Sequence, residues 1–495
     1  MKKTRVFLLN GLLLTCTSLV LKSIGMFFGV YISNKIGTEA VGVYQLIMSV
    51  YMLFITFASS GINLATSRIV SEQMAYGNEK DIPNAVKKCL IYSLIMGSIA
   101  GFVLFFISPY ISANWLHAKV SSTPLKIIAI SLPFISITSS INGYFTAVRR
   151  VKKTAISQVF EQILKIGFIT FLFNIFLPTS IENASISLIL GGVISEISSC
   201  ILMYYFYKKD INQKTLAREN SYIKQILRIT IPIAFTSYIR SGLSTLKQIL
   251  IPLRLEKSGI SCEKALSQYG IINGMAMPLI MFPCSFIYSF CTLLIPEFSY
   301  LNAKGDKGKI KIAICRILKF CFIFSFLIMG IFWCFSDELA GFIYKETGVA
   351  VFIKVLSPLI VLMYVDSIVD SILKGLDKQV SCMGINILDL ITSISFIWFL
   401  LPINGINGYI IVLFISEILN GLLSLILLVK VTHFKIDFSN WLIKPILSIF
   451  IIYLIFKNFV CNTVFELITQ ILIFILGYFI CIIMFRGIVK DDIKI

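Results

Sequence analysis

The chain alternates long apolar runs with short polar segments over its whole length. Each run holds about 20 or more residues, which at a helical rise of about 1.5 Å per residue is enough to cross a hydrocarbon core of about 30 Å. The pattern predicts an all-α polytopic membrane protein with about fourteen transmembrane helices. The predicted spans are 6–32, 41–65, 89–113, 124–148, 154–177, 184–207, 229–253, 266–297, 312–335, 349–373, 381–401, 408–430, 441–460 and 464–486.

The charged residues collect between these spans and carry a strong excess of lysine and arginine, with a formal net charge of +19. If the spans alternate from an inner N-terminus, the inner segments hold 31 of the 44 basic residues. This bias is typical of cytoplasmic loops and makes a nucleic-acid partner unnecessary. We therefore expect a cytoplasmic membrane protein with both termini in the cytoplasm. The inner segments are 1–5, 67–88, 149–153, 208–228, 299–319, 374–380, 430–444 and 486–495.

Short matches between the two halves of the chain indicate an internal duplication. The tetrapeptide ISEI occurs at 194–197 and again at 415–418, and Glu161 matches Asp389 at an offset of 228 within similar octapeptides. Transporters are often built from such repeats. Because six spans is an even number, the two copies would share one orientation in the membrane. We predict an N-terminal six-helix lobe at 1–228, a second at 229–440, and two extra helices with a short tail at 441–495.

Basic residues inside two spans are candidates for binding an anion. Lys22 interrupts span 1, and Arg240, Ser244 and Lys247 form one polar stripe on span 7. Charges at this depth are rare and usually functional. Because span 7 would duplicate span 1, Lys22 and the stripe are expected to face each other across a central cavity. The alternative for Lys22 is that its side chain extends to the outer interface.

Acidic residues inside other spans are candidates for substrate contact or ion coupling. Glu161 and Lys165 lie four residues apart on span 5, so they can form an internally neutralised pair or contact the substrate. Asp366, Glu196 and Glu417 lie deep in their spans and are candidates for H⁺ or Na⁺ coupling. The alternative for the two glutamates is hydrogen bonding between helices, since a buried carboxylate either pairs or takes up a proton.

The chain shows none of the common signatures of a soluble enzyme. It has no phosphate-binding glycine loop and no HExxH motif, and its two histidines and twelve cysteines lack metal-ligand spacing. We therefore expect a protein that is not an enzyme and that holds no cofactor or metal. Coupling to H⁺, to Na⁺ or to the membrane potential stays open at this stage.

Two stretches, residues 37–78 and 270–306, resemble the span 2 and span 8 regions of the multidrug/oligosaccharidyl-lipid/polysaccharide exporter superfamily. The branch they resemble most is that of stage V sporulation protein B and the polysaccharide-biosynthesis flippases. The resemblance implies the fourteen-span, two-lobed fold of MATE transporters and lipid II flippases. It also implies movement of an undecaprenyl-pyrophosphate-linked sugar, such as a peptidoglycan precursor, with Lys22 at the place of a cavity-lining cation. Spans 2 and 8 here lack the cavity arginines of lipid II flippases, and Arg240 and Lys247 are candidates to replace them.

The favoured hypothesis is a flippase that moves a lipid-linked oligosaccharide, such as a precursor of the spore cortex, by alternating access. Its partners would be the lipid-linked substrate and the bilayer. The alternative is a cation-coupled multidrug antiporter that uses Asp366, Glu196 or Glu417. A membrane scaffold without transport is disfavoured, because a scaffold needs no charges at mid-membrane.

Overall fold

The computed structural model describes residues 2–115, 121–175, 180–211, 222–344, 346, 348–456 and 463–487, and no strand occurs among them. The basic C-terminal tail beyond 487 lies outside the described residues. The helices are α1 (Lys2–Ser59), α2 (Ile62–Ala75), α3 (Ile82–Asn114), α4 (Thr123–Ala147), α5 (Val151–Ile175), α6 (Ile181–Ile211), α7 (Ile223–Glu256), α8 (Cys262–Gly270), α9 (Met277–Met281), α10 (Cys284–Ala303), α11 (Lys307–Cys334), α12 (Ser336–Tyr344), α13 (Gly348–Leu356), α14 (Leu359–Gly375), α15 (Gln379–Thr432), α16 (Lys444–Phe456) and α17 (Val464–Met484).

The predicted class, an all-α polytopic membrane protein, is confirmed. Within the described residues, 10 helices are long and apolar enough to cross a membrane, or up to 11 if one bent pair of helices counts as a single span. The predicted total of fourteen is compatible with this number and stays a prediction, because the two longest helices each contain two of the predicted spans.

Those two long helices are broken at glycines. α1 has 58 residues and would be about 87 Å long if straight, almost three times the hydrocarbon core. It breaks at Gly37, where φ is 79° and ψ is 170°, and α15 breaks in the same way at Gly405, where φ is 55° and ψ is −135°. Side chains with a Cβ rarely adopt positive φ, so glycine allows the chain to turn back without a long loop.

The predicted span 8 is interrupted by irregular turns. A π-helical segment, Ile271–Ala276, joins α8 to α9, and Pro283 stands at the start of α10. Since proline lacks an amide hydrogen and π turns usually mark local irregularity, the helix direction changes here. The predicted span 10 is likewise bent by 50° between α13 and α14. Pro358 lies directly before the first residue of α14.

The chain forms two compact units. The first contains residues 1–28, 35–253 and 261–270, and the second contains 29–34, 254–260 and 271–495. Most of α7 therefore groups with the first unit, whereas the sequence predicts a division at 228. The predicted lobes at 1–228, 229–440 and 441–495 stay a prediction.

The first unit is built around α3, α4 and α6, which pack closely on one another. Apolar residues of α2, α3, α4 and α6, among them Val70, Val86 and Phe145, form a buried core cluster in this unit. The start of α7 joins this unit through Tyr222, which donates a hydrogen bond to Asp81, while Ile226 packs against α2 and α3. These contacts anchor the inner part of α7.

The second unit is built around α14, which packs against α10, α11 and α15. The last two helices, α16 and α17, dock onto α11: the Tyr478 hydroxyl donates to the Ile323 carbonyl at 2.9 Å, and the rings of Phe335 and Phe474 lie 5.8 Å apart. The two C-terminal helices are thus an integral part of this unit.

Candidate functional site

The first unit contains a polar cluster, the first cluster, formed by Tyr51, Glu161, Lys165 and Glu196. Tyr51 of α1 donates a hydrogen bond of 2.5 Å to Glu196 of α6. Lys165 of α5 lies within electrostatic range of both carboxylates and of Tyr44. Two acidic groups and one basic group therefore meet inside the membrane-spanning helices, where an unpaired charge is costly.

Close packing of α5 on α6 brings this cluster together. The hydroxyl groups of Ser157 and Ser199 lie 2.9 Å apart across the two helices, and Ser199 also hydrogen-bonds Glu161. Small residues allow membrane helices to approach closely and hydrogen-bond each other. The i,i+4 spacing then presents Glu161 and Lys165 on the same face of α5, as the sequence predicts.

A small cavity lies beside the first cluster. Its volume is about 20 Å³, which is enough for about one water molecule. Its polar lining comes from Tyr44, Tyr51, Lys165 and Glu196, and the rest of the wall is apolar apart from Gly192. The cavity is too small for an oligosaccharide, so the cluster fits a proton or one water rather than the substrate.

The second unit contains a polar cluster of a different kind, the second cluster, formed by Asp366, Asn386, Asp389, Ser416 and Asn420. The Ser416 hydroxyl donates to Asp389 at 2.6 Å, and the Asn420 amide donates to Asp366 at 3.0 Å and to Asn386 at 3.4 Å. This cluster joins α14 to both halves of α15. Neutral groups donate the hydrogen bonds to both carboxylates, but the Oδ1 atom of Asp366 is buried without a hydrogen-bond partner among the described residues.

Glu417 lies outside the second cluster. It is half-buried on α15, next to Ser416, and within electrostatic range of Tyr288 of α10. Glu196, its match in the repeated ISEI sequence, is instead a member of the first cluster. The two repeated glutamates therefore have different surroundings.

The cationic stripe of α7 points away from the helix that α7 packs against. Tyr238 and Thr245 donate hydrogen bonds to the carbonyls of Phe57 and Ser49 of α1. At about 100° per residue, Arg240 and its stripe partners Ser244 and Lys247 lie on the opposite face of α7. Arg240 is exposed, and Ser244 and Lys247 are half-exposed. The side chains of the stripe therefore lie on the face of α7 that does not contact α1.

Lys22 is also exposed, on the first half of α1. One turn further on, α1 passes α5 closely enough that a Cβ at Gly25 would lie 3.9 Å from the side-chain amide of Gln162. Lys22, Arg240, Ser244 and Lys247 all belong to the first unit. Their common role in binding an anion stays a prediction.

The sequence therefore identified Glu161, Lys165, Glu196 and Asp366 as candidates, but it named Asp389 only as the match of Glu161 and missed the neutral partners. Tyr51, Ser416 and Asn420 were not candidates. Tyrosine and serine are ordinary in apolar helices, and only the packing of the helices shows which of them reach a carboxylate. The match between the octapeptides that contain Glu161 and Asp389 could have indicated both clusters, because Glu161 lies in the first cluster and Asp389 in the second.

The fold and these sites define a polytopic α-helical membrane protein with polar clusters inside its membrane-spanning helices. The chain belongs to the family described as polysaccharide biosynthesis protein, whose profile matches residues 7–302. The resemblance to the multidrug/oligosaccharidyl-lipid/polysaccharide exporter superfamily is thereby confirmed.

Two relatives from Bacillus subtilis (strain 168) match most of the chain. Stage V sporulation protein B is 26% identical over 446 residues, which are 88% of this chain and 86% of that protein. Lipid II flippase MurJ is 23% identical over 403 residues, which are 75% of this chain and 73% of that protein.

Solved structures show the same fold. The inward closed conformation of lipid II flippase MurJ matches with a TM-score of 0.73 at 18% identity, covering 98% of this chain and all of that one. An inward-facing multidrug resistance MATE family transporter of the MOP superfamily matches with a TM-score of 0.65 at 13% identity, covering 85% of this chain and all of that one. The predicted MATE-like fold is confirmed.

Proposed function

We propose that this protein is a flippase of the cytoplasmic membrane that moves an undecaprenyl-pyrophosphate-linked oligosaccharide from the inner to the outer leaflet by alternating access. The substrate we favour is a peptidoglycan precursor, and the two relatives suggest a role in spore cortex synthesis. Both termini would lie in the cytoplasm, and the protein would act as a transporter rather than an enzyme. The family and the relatives named lipid II flippase and stage V sporulation protein B support this class.

The observation that carries the proposal is the stripe of Arg240, Ser244 and Lys247. A pyrophosphate needs compensating charge where water is scarce, and arginine and lysine supply it through charge-assisted hydrogen bonds. Arg240 is exposed about halfway along α7, on the face opposite its contacts with α1. Lys22, exposed on α1, is the second candidate contact.

The first and second clusters have a separate place in this proposal. Lys165 lines a cavity of about 20 Å³, and Glu161 lies within electrostatic range of Lys165, so we assign both to coupling rather than to substrate contact. Asp366, Glu196 and Glu417 stay candidates for ion coupling. A pyrophosphate-binding stripe and separate carboxylate clusters would allow the substrate and the driving ion to bind at different places.

The test measures lipid-linked precursor in the outer leaflet of cells depleted of their native flippases. The wild-type chain should restore the precursor. The Lys22→Ala, Arg240→Ala double variant should lower its rate of appearance about tenfold or more, since each lost charge-assisted bond is worth at least about 1.4 kcal/mol. Arg228→Ala, which removes an exposed arginine from the inner end of the same helix, is the matched control and should retain wild-type transport.

Two results would overturn the proposal at different levels. If the wild-type chain restores no precursor although it reaches the membrane, the flippase function is wrong. If the double variant transports as well as Arg228→Ala, the cationic site is wrong while the class survives. Resistance to cationic drugs that is lost on Asp366→Asn would favour the multidrug antiporter, whose fold the MATE transporter also represents.

A further inference from the structure

Besides Tyr51, the first cluster contains three ionisable groups, so their charges cannot cancel when all three are ionised, although its apolar surroundings favour zero net charge. Glu161 and Glu196 carry two negative charges when ionised, and Lys165 carries one positive charge. Close by, the cavity wall is formed by apolar side chains such as Ile128 and Leu188. A net charge of −1 in such surroundings is strongly disfavoured, and binding one proton removes it.

We propose that Glu161, Lys165 and Glu196 form a binding site for one exchangeable proton, which the two carboxylates share. Binding needs no substrate. Only the use of this proton to drive transport rests on the proposed function. The proton comes from water and binds to a carboxylate oxygen, so no other reactant is required.

The hydrogen bonds around Glu196 allow both protonation states. Tyr51 lies 2.5 Å from Glu196 and 2.7 Å from Ser131, and Ser131 lies 3.0 Å from the Ile128 carbonyl. With Glu196 ionised, Tyr51 donates to Glu196 and Ser131 donates to Tyr51. With Glu196 protonated, Glu196 donates to Tyr51, Tyr51 donates to Ser131, and Ser131 donates to Ile128. Each hydroxyl has one hydrogen, so each arrangement is self-consistent.

The remaining groups that face the carboxylates fit the same assignment. Ser199 of α6 hydrogen-bonds Glu161, and Tyr44 of α1 lies within electrostatic range of Lys165. The cavity of about 20 Å³ touches Tyr44, Lys165 and Glu196, so one water molecule there could carry a proton to or from the carboxylates. Lys165 already places a positive charge within electrostatic range of both carboxylates, which repels a metal cation and favours a proton as the exchangeable ion.

The test is infrared difference spectroscopy of the purified full chain in liposomes, titrated with acid and base. Only a protonated carboxyl has a carboxylic C=O stretching band. The wild type should show one such band near neutral pH that is lost in both Glu161→Gln and Glu196→Gln. In each variant the remaining carboxylate pairs with Lys165 and stays ionised. Bands from carboxyl groups elsewhere persist in the variants and cancel in the difference spectra.

Three further variants make the test specific. Glu182→Gln, in the first turn of α6, is the matched control and should keep the band. Lys165→Met should add a second band, because both carboxylates then need a proton. Tyr51→Phe should keep the band but shift its frequency, because the hydrogen-bond partner of the Glu196 carboxyl is gone. Helix content and elution as a single species show that each variant is folded.

The proposal fails if the wild type lacks a band that both glutamine variants remove, or if Lys165→Met leaves the spectrum unchanged. A band lost in only one glutamine variant would assign the proton to one residue and overturn the sharing. These spectra are recorded without substrate, so a result that contradicts the proton site leaves the flippase proposal intact. Conversely, if the chain gives the expected spectra but restores no precursor in cells, the proton site is supported and the flippase function is wrong.

Discussion

Each polar cluster contains one carboxylate of a matched pair in the repeated sequence, yet the two clusters differ in charge. Glu161 of the first cluster matches Asp389 of the second at an offset of 228 residues. Four residues further along each helix, Lys165 matches Ser393 at the same offset. The first carboxylate therefore has a cation one helical turn away, whereas the second has a hydroxyl, which lies 3.4 Å from Asp389.

This single difference changes how each cluster is stabilised. In the first cluster, Lys165 lies within electrostatic range of both carboxylates and Tyr51 donates a hydrogen bond to Glu196, and these two groups compensate the negative charge. In the second, Ser416 and Asn420 donate neutral hydrogen bonds to Asp389 and Asp366. Breaking a buried ion pair by removing one partner is strongly destabilising, whereas a neutral donor is worth less. The predicted duplication therefore pairs two carboxylates whose neighbouring groups have different chemistry.

The largest expected effect comes from making the first cluster resemble the second. Lys165→Ser should lower the free energy of unfolding by about 3 kcal/mol, because two carboxylates lose their cation in the membrane interior. The loss should be greater at pH 8 than at pH 6, since the carboxylates can bind protons at lower pH and so lose their charge. The measurement is unfolding in detergent micelles titrated with a denaturing detergent.

The control for that experiment is Lys152→Ser, which removes an exposed lysine near the start of α5. It should change the free energy of unfolding by no more than about 0.5 kcal/mol, as surface substitutions generally do. Equal losses in Lys165→Ser and Lys152→Ser would show that the ion pair contributes little and that the two clusters are alike.

A smaller effect is expected from the second cluster. Ser416→Ala removes the hydroxyl that donates to Asp389 at 2.6 Å and should lower the free energy of unfolding by about 2 kcal/mol, the usual worth of a hydrogen bond to a charged group. Ser393→Ala removes the longer bond of 3.4 Å to the same oxygen and should cost less than half as much. The same detergent titration compares the two variants, and a larger loss in Ser393→Ala would contradict this ranking.

Much of the fold follows from the sequence because the bilayer restricts the choices. Backbone groups in hydrocarbon must be satisfied within the segment, so long apolar runs become helices. The breaks were harder to predict. The two longest helices turn at Gly37 and Gly405, where a positive φ is needed, and the apolar pattern does not mark these two glycines.

The site was predictable only in its charged residues. A lysine or glutamate in an apolar run is visible because it is energetically unusual, which is how Glu161, Lys165 and Glu196 were found. Tyr51 could not be found in this way. Its role depends on α1 passing beside α4 and α6 at the depth of Glu196, and that depth results from packing rather than from the composition of any one helix.

The smallest expected effect concerns Asp306, which lies in a predicted inner segment. It serves as the reference for a carboxylate that is exposed to water. Asp306 precedes α11 and accepts a hydrogen bond of 3.1 Å from the backbone amide of Lys309, whose ammonium lies 3.0 Å away. The amide and then the ammonium hold the pKa of Asp306 below its ordinary value. The stabilisation is therefore present above the ordinary pKa and is lost as the pH falls through the lowered value.

The measurement is hydrogen–deuterium exchange of the first turns of α11 in the wild type and in Asp306→Asn, which keeps a helix-capping side chain but not the charge. The wild type should exchange more slowly than the variant at pH 7, and the difference should shrink as the pH falls below the ordinary pKa of aspartate and through the lowered value. Glu182→Gln, a similar loss of charge in the first turn of α6, should leave the first turns of α11 unaffected. If the difference between wild type and Asp306→Asn persisted at low pH, the charge would not be its cause. The contrast between Asp306 and the carboxylates of the first cluster would then have a cause other than the difference between water and the membrane interior.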